Sequence, residues 1–191
     1  PKISGQNAKY ISNALAAYKK GERKHPTMRG NADSLSDQDM ADLAAYYAGQ
    51  KAQVGAADPA LVELGQKLYR GGSAEAGVTA CAACHGANGL GMPEAGFPAL
   101  SGQHATYITR QLNAFRAGER KNDLMSPMAM ILSDEDIADL AAYFQAQTAT
   151  GGEAEPSKLA LGERVYRSGN VSRGVMACAG CHGPNGRGNP G

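Results

Sequence analysis

Wherever the chain is well patterned, its apolar positions recur with a helical period. After Ser36, the residues Met40, Leu43, Ala44 and Tyr47 stand at i, i+3, i+4 and i+7. Ile137, Leu140, Ala141 and Phe144 repeat that spacing after Ser133. Each run is preceded by a Ser with an Asp three residues on, Asp39 and Asp136, which predicts a helix N-cap at Ser36 and at Ser133. A helix from about 103 to 117 presents Ile108, Leu112 and Phe115 and stops at Gly118. Another from about 59 to 70 presents Leu61, Leu64, Leu68 and Tyr69, and a later stretch presents Leu161, Val165 and Tyr166 in the same way. Turn-rich loops are expected at 86–91 and 183–188. No segment alternates as a strand would, so the expected class is all-α.

The pattern is an internal repeat. Ser4-Gly5-Gln6 returns as Ser101-Gly102-Gln103, an offset of 97. Gly21-Glu22-Arg23-Lys24 returns as Gly118-Glu119-Arg120-Lys121, and Ala41-Asp42-Leu43-Ala44-Ala45-Tyr46 returns as Ala138-Asp139-Leu140-Ala141-Ala142-Tyr143, both at the same offset and without a gap. One complete copy, residues 54–150, reads as one domain. The other is split between the two ends, residues 1–53 plus 151–191. Two periods make 194 residues against 191 in the chain. Two origins stand open: a permuted two-domain protein lacking a short loop, or a piece cut from a longer tandem array. The linkers 53–59 and 150–156 align without gaps, which favours an array. The permuted order leaves no half-domain without a partner, and we prefer it.

Composition narrows the chemistry. With a net charge of +1, the chain has no strong pull toward nucleic acid or membrane. No apolar run approaches the roughly 20 residues of a bilayer-spanning helix. Trp is absent and aromatics make up 6% of the chain, so two small domains have thin cores and need a staple. The four cysteines supply one. Cys81-Ala82-Ala83-Cys84-His85 and Cys178-Ala179-Gly180-Cys181-His182 both read C-x-x-C-H, again 97 residues apart. Two thiols on one helical turn reach the two vinyl groups of one porphyrin, and the adjacent His85 or His182 supplies an axial nitrogen. A zinc site needs four ligands in a tetrahedral array, and each motif offers at most three. A thioredoxin-like motif needs a βαβ context, which is not seen. Two covalently bound c-type haems are therefore expected. Such haem is attached outside the bacterial cytoplasm, and Pro1-Lys2-Ile3-Ser4-Gly5 carries no signal-peptide core, so the natural precursor is expected to start earlier.

The second axial ligand separates a carrier from a catalyst, because an open iron binds small molecules. Of seven methionines, Met28 and Met125 alone are paired across the repeat. Both fall in polar segments that read as irregular, and they are the expected distal ligands, with Met128 the runner-up in its domain. The alternative for such methionines is a gap-filling core role. His25 and His104 align with Asn122 and Asn7 and are expected to be surface or capping residues.

Two C-x-x-C-H domains, each with Pro-x-Ile-Ser-Gly-Gln or Pro-x-Leu-Ser-Gly-Gln, the loop Cys-x-x-Cys-His-Gly-x-Asn-Gly and Leu-Ser-Asp-x-Asp, resemble the dihaem cytochrome c4 family. The resemblance implies two class I cytochrome c folds and His/Met ligation of both irons. It implies a non-enzymatic, one-electron periplasmic carrier, often loosely attached to the membrane. Its redox partners would be a quinol-oxidising donor complex and a terminal oxidase or reductase. It further sets Gly65 and Tyr69 against Leu140 and Phe144, and Gly162 and Tyr166 against Leu43 and Tyr47, where the first helix crosses the last. The alternative is a haem-bearing subunit or fragment of a larger multihaem respiratory complex. Basic clusters at Lys19, Lys20, Arg23 and Lys24, and at Arg116, Arg120 and Lys121, either assist docking or are solvated helix ends.

Overall fold

The computed structural model describes residues 1–50, 56–148 and 155–188. In chain order its α-helices are α1 (Ala8–Lys20), α2 (Pro26–Asp33), α3 (Asp37–Ala48), α4 (Pro59–Gly71), α5 (Ala82–His85), α6 (Ala105–Arg116), α7 (Met125–Met130), α8 (Asp134–Gln145), α9 (Pro156–Ser168) and α10 (Ala179–His182). Among the described residues the only β pairings are isolated bridges, such as Ser73 with Val78 and Asn170 with Val175.

Local sequence sets the helix boundaries. Ser36 and Ser133 each cap their helix reciprocally: the Ser side chain accepts from the backbone of Asp39 or Asp136, and that Asp accepts from the Ser backbone N–H. Pro59 and Pro156 open α4 and α9 at a position that needs no N–H donor. Gly21, with φ +79°, closes α1 in the left-handed region.

The chain forms two compact units. Unit 1 is built from Pro1–Ala52, Met92–Pro98 and Thr150–Asn189, and unit 2 from Gln53–Gly91 and Ala99–Ala149. Unit 2 is built on the crossing of α4 with α8, with α6 packed on α8 and α7 on α6. Unit 1 repeats this with α9 across α3, α1 on α3 and α2 on α1. The crossings are tight because a glycine stands at each. A methyl at Gly65 would fall on the Asp139 carbonyl oxygen and 2.8 Å from Tyr143 Cβ; one at Gly162 would fall on the Asp42 carbonyl oxygen and 2.9 Å from Tyr46 Cβ. One turn on, Tyr69 meets Phe144 edge-to-face with ring centroids 5.1 Å apart, and Tyr166 meets Tyr47 at 4.9 Å. The expected Tyr69–Phe144 and Tyr166–Tyr47 contacts are thus present, while the glycines sit over Asp139 and Asp42, one residue before the expected leucines.

In unit 1 the two ends of the chain meet. The Ile3 N–H donates to the Gly186 carbonyl at 2.8 Å, and Gly5 N–H to the Tyr47 carbonyl at 2.8 Å. Arg173 pairs with the buried Asp39 carboxylate at 2.8 Å. The backbone bonds, but not the ion pair, recur among the described residues of unit 2, where Leu100 and Ser101 N–H donate to the Gly89 carbonyl at 2.7 and 3.0 Å and Gly102 N–H donates to the Phe144 carbonyl at 2.8 Å.

Candidate haem-attachment sites

In unit 2 the backbone turns sharply after α4. Gly72, with φ +69°, lies so close to the Val78 carbonyl that no side chain fits there. Ser73 and Val78 then exchange backbone bonds at 2.8 Å and deliver the chain to Cys81. The Cys81 carbonyl accepts from Cys84 N–H at 3.2 Å and from His85 N–H at 2.9 Å, so both cysteines and the histidine share one helical turn. Cys81 packs against the core cluster of Tyr69, Leu140 and Phe144, and burial pushes its thiol pKa up; Cys84 is exposed. The imidazole of His85 is buried. The Tyr69 hydroxyl donates to the Gly86 carbonyl, pinning the peptide that follows His85.

Unit 1 is built alike. The Cys178 carbonyl accepts from Cys181 N–H at 3.2 Å and His182 N–H at 3.0 Å. Burial pushes the Cys178 thiol up to about 11. The Tyr166 hydroxyl donates to the Gly183 carbonyl. His182 Nδ1–H donates to the Pro1 carbonyl at 3.4 Å, a long bond, and this tautomer leaves Nε2 free as a donor atom for a metal. Desolvation by burial lowers the His182 pKa, which favours the neutral ring that coordination requires.

The two repeat-paired methionines lie on short helices, not in the irregular segments expected. Met28 is in α2 and Met125 opens α7; both are half-buried. His25 caps α2, its Nδ1 accepting from Met28 N–H at 3.2 Å, and Asn122 Oδ1 accepts from Met125 N–H at 2.9 Å. The aligned pair His25 and Asn122 thus does the same work on the amide of each methionine. Met128 lies one turn past Met125 and is more exposed, at 38%. The methionine helices are linked to the C-x-x-C-H turns through the α1, α3 and α9 packing in unit 1, and in unit 2 through α6, α8 and α4, rather than packed directly on them.

The residues present fit a covalently attached haem. Each turn offers two free thiols and one imidazole, and the His182 ring has one nitrogen committed to backbone and the other uncommitted. The sequence reading missed the Pro1 carbonyl as the partner that orients His182, and missed the Tyr69 and Tyr166 hydroxyls. The recurrence of Pro before x-Ile/Leu-Ser-Gly-Gln was visible, but a backbone carbonyl leaves no signature in residue type.

The cytochrome c family model matches residues 62–148. Cytochrome c4 of Pseudomonas aeruginosa is 47% identical over 149 residues, which is 76% of this chain and 74% of that protein. The chain belongs to the cytochrome c4 family. The crystal structure of reduced recombinant cytochrome c4 from Pseudomonas stutzeri superposes with a TM-score of 0.72 at 44% identity, covering 76% of this chain and 83% of that one. A thiosulfate dehydrogenase electron acceptor of Stutzerimonas stutzeri is 40% identical over 153 residues, 78% of this chain and 67% of that protein. Cytochrome c4 is a dihaem c-type electron carrier, and the motifs at Cys81–Cys84 and Cys178–Cys181 fit two covalent haem c groups. The expected all-α fold of class I cytochrome domains stands on the same neighbours.

Proposed function

We propose that this dihaem cytochrome is a one-electron carrier that transforms no substrate itself, with both irons closed by His and Met. Cys81 and Cys84 would hold one haem through thioethers, with His85 and Met125 as its iron ligands; Cys178 and Cys181 would hold the other, with His182 and Met28. Bound haem supplies an iron that changes oxidation state by one electron, and a closed ligand set lets it do so with little rearrangement. The chain's own part is to hold those ligands still. The Pro1 carbonyl fixes the His182 ring, the Tyr69 and Tyr166 hydroxyls fix the peptides after the histidines, and His25 and Asn122 fix the methionine turns.

The observation that carries the reading is the matched capping of Met28 and Met125, the one methionine pair the repeat retains. Treating residues 54–150 as one cytochrome domain and 1–53 with 151–191 as the other follows the helix packing, α4, α6, α7 and α8 in one unit and α1, α2, α3 and α9 in the other, although Met92–Pro98 falls with unit 1. The working place that fits covalent haem is the periplasm, with a loose membrane association; among the described residues no helix is long and apolar enough to cross a membrane.

Two partner assignments compete. One is a quinol-oxidising complex as donor and a terminal oxidase or reductase as acceptor. The other takes electrons from a thiosulfate dehydrogenase, favoured by the electron-acceptor relative and by a thiosulfate dehydrogenase structure from Marichromatium purpuratum that covers 96% of this chain at 28% identity, with a TM-score of 0.68. In either case the chain is a free carrier or a haem-bearing part of a larger complex. The test of ligation is Met125→Ala. It should abolish the long-wavelength sulfur-to-iron band at one haem and lower that haem's potential, leaving the other haem unchanged. Two normal spectra would reject Met125 and point to Met128.

A further inference from the structure

The two repeats differ by one hydroxyl inside the aromatic cluster that backs each attachment turn. In unit 2 the ring packed edge-to-face on Tyr69 is Phe144; in unit 1 the ring packed on Tyr166 is Tyr47. Tyr47 is 3% exposed, and its hydroxyl is buried without a hydrogen-bond partner. A methyl at Gly186, in the loop after His182, would lie 3.1 Å from the Tyr47 ring. Cys178 packs on the same cluster.

The neighbouring Tyr166 hydroxyl is already engaged: it donates to the Gly183 carbonyl and accepts from the Gly186 N–H at 3.0 Å. Burial first, then the proximity of Cys178 and the Tyr166 hydroxyl, hold the Tyr47 phenol far above its ordinary pKa, so it stays an O–H group. The Tyr166 oxygen acts on it at short range, but the pair does not meet hydrogen-bond geometry. A buried O–H without a full partner is unfavourable, and the other repeat shows that Phe fills the same space. Position 47 therefore carries a hydroxyl that packing does not require.

We propose that Tyr47 raises the potential of the haem attached at Cys178 and Cys181. This rests on reading the C-x-x-C-H turns as haem sites. Once Cys178 is a thioether its sulfur accepts and no longer donates. The acceptors beside the Tyr47 hydroxyl are then that sulfur and the second lone pair of Tyr166. Both lie on the attachment-turn side of the cluster. An O–H donated toward either would place its positive end toward the attachment turn, and a positive end beside a haem held there would favour the reduced state. Phe144 gives the first haem no such dipole.

The test is a spectroelectrochemical titration of the dihaem protein, with haem-methyl NMR assigning each wave, on wild type, Tyr47→Phe and Phe144→Tyr. Tyr47→Phe should lower the second haem's potential and change the electron-sharing constant between the haems at least threefold, about 28 mV at 59 mV per decade. The first haem should not move. Phe144→Tyr should raise the first haem's potential. A sharing constant unchanged within about 1.5-fold, a shift of the opposite sign, or equal shifts of both haems would overturn the proposal. If Tyr47→Phe does not load haem, Phe144→Tyr decides alone, and no rise refutes the idea. The sulfur-to-iron band of the wild type separates the two readings: its presence at both haems keeps the site assignment whatever Tyr47 does, and its absence rejects that assignment first.

Discussion

Gly65→Ala isolates the tightest contact in unit 2. The added methyl would overlap the Asp139 carbonyl oxygen and stand 2.8 Å from Tyr143 Cβ, where apolar atoms rest at ~3.5–4.0 Å. A backbone carbonyl cannot swing aside as a side chain can, so α4 and α8 must separate by about 1 Å. That loosens the Tyr69, Tyr143 and Phe144 cluster. Overpacking of this kind costs ~1–3 kcal/mol, and a carbonyl clash belongs at the upper end. Alanine returns about 1 kcal/mol through helix propensity. The net loss is about 2 kcal/mol, a fall in midpoint of ~10 °C for a unit of this size. Gly71→Ala in the same helix is the control. A methyl there meets nothing within 4 Å, so it should gain ~0.5 kcal/mol. The assay is thermal unfolding of the haem-loaded protein, followed by far-ultraviolet circular dichroism. If Gly65→Ala and Gly71→Ala shift the midpoint alike, steric exclusion at the crossing is not what places glycine at position 65.

Ser133→Ala removes the reciprocal cap of α8 and should cost ~1 kcal/mol in urea unfolding, with both haem spectra unchanged. Burial works to raise the Asp39 pKa, but the Ser36 hydroxyl and N–H and the Arg173 guanidinium outweigh it, and the net shift is downward. Its folded-state pKa is thus below the unfolded value of ~3.9. The stability it contributes is present above that value and is lost as pH falls through the folded-state pKa. Asp39→Asn should therefore flatten the acid limb of a stability-versus-pH curve, and an unaltered acid limb would reject the assignment. Tyr69→Phe deletes the bond to the Gly86 carbonyl and should cost ~1 kcal/mol, read as faster loss of the first haem's native spectrum in denaturant. Replacing both Cys81 and Cys84 with Ala should release one haem and unfold unit 2; a folded, doubly loaded variant would refute the attachment reading.

Sequence alone determined whatever depends on residue type and spacing. Helical period placed α3, α4, α6, α8 and α9, and the Ser-x-x-Asp caps located two helix starts. C-x-x-C-H named the cofactor, and the offset of 97 singled out Met28 and Met125. The short helices α2 and α7 escaped because they are too brief to show a helical period and hold a proline each. Pro26 and Pro127 both fall in a first turn, where a missing N–H costs nothing, so neither breaks its helix. Tertiary structure decided what depends on backbone atoms and close approach. It brought the Pro1 carbonyl to His182, closed the two chain ends into unit 1, and buried the Tyr47 hydroxyl where Phe144 has none. A carbonyl looks the same under every side chain, and whether a phenol finds a partner depends on atoms far away in sequence. Pattern and spacing therefore specify the cofactor, and packing specifies how the two copies of its site come to differ.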